Sequence, residues 1–97
     1  MRATIKKIKI GKKYITAAFL PLQKKNLIVL SGKRGYVMCG YLNLKVAEKF
    51  GDTAVKIVGV SSISDALRVN VHSCTSAAGK LGLKKGQPVK EILEKIA

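Results

Sequence analysis

Acidic residues are absent from the first 47 positions of this 97-residue chain, where eleven Lys or Arg stand unopposed; the first carboxylate is Glu48. From there on eight basic residues meet five acidic ones, so the net charge of +14 is concentrated in the N-terminal half. The other four carboxylates, Asp52, Asp65, Glu91 and Glu94, sit where helix caps and solvated helix faces want them, which excludes a paired-carboxylate enzyme. Tryptophan is absent and aromatic residues make up 5% of the chain, too few for a platform of several stacking rings. Two cysteines, Cys39 and Cys74, cannot build a disulfide framework and read as free thiols. With the single histidine, His72, they form an incomplete ligand set, so neither a metal nor a cofactor is expected. No apolar run approaches the ~20 residues of a membrane span. The opening Met1 to Lys7 lacks the apolar stretch of a signal peptide, and the expectation is a cytoplasmic protein with no membrane partner.

What is present reads as one domain over 1–97, a basic β-rich half at 1–41 followed by an α/β half at 42–97. Four β-branched or aromatic runs, Thr4 to Ile10, Tyr14 to Leu20, Asn26 to Leu30 and Tyr36 to Cys39, are separated by Gly- or Pro-containing turns and predict an antiparallel meander. Alternate turns of a meander lie at the same end. The Lys12-Lys13 and Lys33-Arg34 tips should therefore converge into a cationic rim. The second run is apolar on both faces: Tyr14, Thr16, Ala18 and Leu20 on one, Ile15, Ala17 and Phe19 on the other. Such a sheet needs a second layer, supplied by the C-terminal helices or by another subunit. We favour a subunit interface carried by Ile5, Ile8, Ile10, Ile15 and Phe19.

After Gly40 helix and strand alternate, giving an α+β fold with a mixed sheet. Asn43 caps a helix through Phe50 that Gly51 ends, and 54–60 is a buried strand. Ser62 and Asp65 have capping-box spacing, 69–74 is a final strand, and Ser76 caps a short helix ended by Gly82. Pro88 opens the last helix, whose stripe is Val89, Ile92, Leu93 and Ile96.

Three local patterns suggest chemistry. Arg34-Gly35-Tyr36-Val37-Met38-Cys39-Gly40-Tyr41 resembles the RNP1 strand of RNA-recognition domains at its ends, but Val37, Met38 and Cys39 stand where a small residue, the second ring and an aliphatic are needed. Cys74 to Leu81 resembles a phosphate loop at Gly79-Lys80 alone; what survives is a helix N-terminus near Ser76 with Lys80 one turn on, able to hold an anion. Cys39 beside the flexible Gly40, with His72 as its base, is the one arrangement that would support a thiol-dependent enzyme.

The order Gly35-Tyr36-Val37-Met38-Cys39-Gly40, Gly59-Val60 with Ile63 and Asp65 to Leu67, then Leu81-Gly82-Leu83 and Gly86, resembles the YunC-like domain of unknown function of bacteria and archaea. The resemblance implies an N-terminal β-region used for tetramerisation and no assigned activity; Cys39 falls within its motif. The leading reading is a non-enzymatic homo-oligomer, a tetramer by the resemblance, whose basic β-surface meets an anionic partner through Lys12, Lys13, Lys33, Arg34 and Lys80. Weak, salt-dependent binding of nucleic acid is expected of such a surface. The rival reading is the Cys39–His72 enzyme.

Overall fold

A computed structural model describes residues 3–97. Its sheet has six strands in the order β1 (Thr4–Ile10), β2 (Lys13–Pro21), β3 (Asn26–Ser31), β4 (Tyr36–Met38), β5 (Ala54–Lys56) and β6 (Ser73–Cys74). The first four form the antiparallel meander. Helix α1 (Leu44–Phe50) then carries the chain over to β5, which lies parallel to β4, and β6 returns antiparallel. The sheet is therefore mixed and the fold α+β. The first hairpin turns on Gly11 and Lys12 alone, with Gly11 at φ +62°, the geometry of a type II′ turn whose twist matches that of the flanking strands.

One face of the sheet presents Ile15 and Ala17 of β2, Ile28 and Leu30 of β3, Val37 of β4 and Val55 of β5 in register, and all are buried. They meet α2 (Ile63–Ala66), α3 (Ser76–Lys80) and α4 (Val89–Ile96). Helix α4 is the main cover: Val89, Ile92, Leu93 and Ile96 are fully buried, each contributing about 1.5–3 kcal/mol relative to exposure. The opposite face is covered only in part. There α1 packs Ala47 against Met38 and Ala54, with Tyr36, Leu42 and Leu44 around them. Beyond α1, Ile5 is 75% exposed on the edge strand and its row mates Ala18 and Val29 are half-buried.

Local signals hold at the caps. Asn43 accepts from Lys45 N–H at 2.8 Å to start α1, Gly51 closes it in the left-handed region, and Ser62 accepts from Asp65 N–H at 3.0 Å. Three expectations change. Thr75, not Ser76, caps α3, because its hydroxyl reaches Ala78 N–H while Ser76 turns to Glu48. The strand expected over 54–60 stops at Lys56, and that over 69–74 keeps two residues, with Asn70 making only an isolated bridge to Pro88. Ladder pairing ends where the neighbouring strand ends, and apolar composition does not register that.

The expected interface set divides. Ile15 is 1% exposed and belongs to the chain's own core, and Ile8, Ile10 and Phe19 pack half-buried against that core. Ile5 alone of the five is free, on the opposite face. The sheet's inner layer comes from this chain's helices, so the open face is that of Ile5, Ala18 and Val29.

Candidate basic groove

The two hairpin tips meet as the meander requires. Lys12 and Lys13 from the β1–β2 turn, Lys33 and Arg34 from the β3–β4 turn, and Lys7 from β1 line one groove of about 660 Å³. Its floor is a single cross-strand row, Lys7 beside Thr16 beside Ser31, and Tyr14 forms a wall. Among the described residues no acidic side chain lines it. Five cations on one concave surface concentrate positive potential there.

The second tip is held rigidly. Gly32 N–H donates to Gly35 O at 2.8 Å, and Arg34 N–H donates to Ile96 O at 2.8 Å, capping a carbonyl at the C-terminal end of α4. The helix backbone lies so close that a Cβ on Gly32 would overlap the Ile96 carbonyl, and one on Gly35 would come within 2.6 Å of Thr53 O. Both positions require glycine for close approach. Placing Lys33 and Arg34 at a helix C-terminus also offsets part of their mutual repulsion through the helix dipole.

Sequence reasoning found Lys12, Lys13, Lys33 and Arg34 and missed Lys7, Tyr14, Thr16 and Ser31. The signal was available: a two-residue turn at Gly11-Lys12 sets the register that brings Lys7 beside Thr16. Lys80 is not part of the groove; it stands in the last turn of α3. The anion position expected at the N-terminus of α3 is filled by the chain itself. The Glu48 carboxylate accepts from Ser76 N–H at 3.1 Å and from the Ser76 hydroxyl, and these bonds hold its carboxyl below the usual carboxylate range.

Cys39 lines a separate cleft of about 730 Å³ between the β2–β3 loop, Gly40-Tyr41 and residues 58–61. Its side chain is nonetheless 3% exposed, with Sγ accepting from Ile28 N–H at 3.4 Å and 3.9 Å from Asn26 O. His72 does not line this cleft; it is exposed, and its ring nitrogen lies 3.2 Å from the Ser73 hydroxyl. The structure does not bring the expected nucleophile and base together. The RNP1-like strand is likewise unavailable for stacking at Tyr36, which packs under α1 and donates its hydroxyl to Asp52 at 2.7 Å. Burial, and then that bond, push its pKa up to about 12. Among the described residues no group of three or more His, Cys, Asp or Glu is placed to hold a metal, and no helix is long and apolar enough to cross a membrane.

The model of a domain of unknown function, DUF1805, matches residues 38–96. The chain belongs to the DUF1805 family. It is 37% identical over 86 residues to the uncharacterized protein YunC of Bacillus subtilis, covering 84% of each chain. It also superimposes with a TM-score of 0.95 on the crystal structure of a protein of unknown function, TA1206, from Thermoplasma acidophilum, at 32% identity and covering 99% of this chain and 94% of that one. The family match begins at Met38, so three of the four meander strands and all five of the groove's cations lie outside it, while the structural match spans the whole sheet.

Proposed function

We propose that this DUF1805 protein is a non-enzymatic, homo-oligomeric binding protein of the cytoplasm whose basic groove takes an anionic partner. The observation that carries the reading is the convergence of two hairpin tips and Lys7 on one groove with no acidic side chain in its lining. Thr16 and Ser31 add hydroxyl donors for anionic oxygens. The open Ile5–Ala18–Val29 row adjoins the groove on the same face of the sheet, and a second copy seated there would bury the apolar row. The resemblance to YunC-like domains suggests a tetramer. Assembly then multiplies the field at each groove and makes association steeply salt-dependent.

The test compares two variants of equal charge: Lys12, Lys13, Lys33 and Arg34 changed to Gln, and Lys49, Lys84, Lys85 and Lys90 changed to Gln. Elution from immobilised heparin should fall to markedly lower salt for the first and shift little for the second. Equal shifts would mean that net charge, not the groove, attracts anions.

A further inference from the structure

Tyr14 is 56% exposed although it is one of five aromatic residues in the chain. It stands on the sheet face that carries the groove's floor, paired across the ladder with Lys9, and lines the groove with Lys12, Lys13, Lys33 and Arg34. Among the described residues its hydroxyl makes no hydrogen bond, in contrast to that of Tyr36. A ring left in water and ringed by cations fits a ligand that presents a flat apolar face and negative charge together.

We infer that the groove binds single-stranded nucleic acid, with a base stacked on Tyr14 and the flanking phosphates held by Lys12, Lys13, Lys33 and Arg34. This rests on the anion-binding reading above and names its ligand. An inorganic or protein-borne anion would use the cations and leave the ring idle. A duplex keeps its base faces inside the stack, so it too would engage the charges alone. A single strand uses both, and base–aromatic stacking tolerates any sequence because every base has a π-face. Thr16 and Ser31, on the floor between the tips, suit sugar or phosphate oxygens and carry no base preference.

The experiment measures fluorescence anisotropy of a labelled oligothymidylate of about 12 nucleotides, within the usual site sizes of such grooves. An abasic strand and a duplex of the same length are compared, between about 50 and 200 mM salt. Tyr14→Leu should weaken oligothymidylate binding by about 5- to 150-fold without changing the slope of log affinity against log salt, while Tyr14→Phe should bind like the parent. Lys33→Gln with Arg34→Gln should lower the slope by about 1.4. The abasic strand should bind the parent protein no better than oligothymidylate binds Tyr14→Leu. If Tyr14→Leu binds as the parent does, or the abasic strand or duplex binds as tightly as oligothymidylate, stacking on Tyr14 is wrong. In that event a loss on the charge variants preserves the anionic groove, and no loss on them overturns both readings. Melting curves establish that each variant is folded, which the exposure of Tyr14 favours.

Discussion

Two side chains in one short segment, Cys39 buried and Tyr36 half-buried, separate structural roles from chemical ones. Cys39 holds its sulfur against the Ile28 amide at 3.4 Å at the back of a cleft, without a histidine nearby to serve as its base. Its alkylation in the native protein should be slow and should accelerate only in denaturant, whereas Cys74, which is half-exposed, should react first. Mass spectrometry of time points with and without urea distinguishes the two sites; rapid native labelling of Cys39 would revive the thiol-enzyme reading. Tyr36 is the pH-sensitive counterpart. Its folded pKa of about 12 lies above the ordinary value near 10, so the proton is held more tightly in the fold. The stabilisation is complete below about pH 10 and is lost as pH rises towards 12. The stability difference between the parent and Tyr36→Phe, from urea unfolding at pH 8 and 11, should shrink at the higher pH; lysine deprotonation is common to both proteins and cancels.

Short elements are joined here by side chains more than by their own length. Helix α3 has five residues, below what isolated helices sustain, and depends on its N-terminal contacts. Thr75 Oγ1 accepts from Ala78 N–H at 3.2 Å and from Ala54 N–H at 3.1 Å, and donates to Asp52 O at 2.7 Å, tying α3 to β5 and to the turn after α1. Glu48 adds a second tie from α1 to Ser76. Thr75→Val keeps the shape and strands these groups, so it should destabilise by about 2–4 kcal/mol in denaturant unfolding. A loss below about 0.5 kcal/mol, the range of ordinary surface changes, would mean that water replaces the hydroxyl there.

At the scale of the whole molecule, the outer sheet face is divided along β1 and β2. Ile5 with Ala18 and Val29 form an apolar row, and Lys7, Lys9, Tyr14 and Thr16 form the polar half beside it. Strand β1 is the sheet edge and has an unpaired side, so a second copy can add both backbone and apolar contacts there. Ile5→Asp should convert the proposed oligomer to smaller species in light scattering at micromolar concentration while leaving the melting of the isolated fold nearly unchanged, because Ile5 is 75% exposed in its own chain. A monomeric parent protein would end the oligomer proposal.

The sequence by itself determined the elements with strong local chemistry: the hairpin glycine, the Asn43, Gly51 and Ser62 caps, the α4 stripe and the segregation of charge before Glu48. These depend on a few neighbouring residues or on composition, and both are written in the chain. Tertiary structure decided the rest. The short strands β5 and β6 end where their partners end, and Ile15 turned inward because Ile28 and Leu30 share its face. Glu48 took the α3 terminus across 28 residues of chain, which closed one expected anion position, and the registers of β1 on β2 and of β2 on β3 lined up Lys7, Thr16 and Ser31. Cys39 and His72, both legible as reactive types, were kept apart by the path of the chain between β4 and β6. A site needs its side chains at fixed distances, and only long-range pairing and packing set those distances.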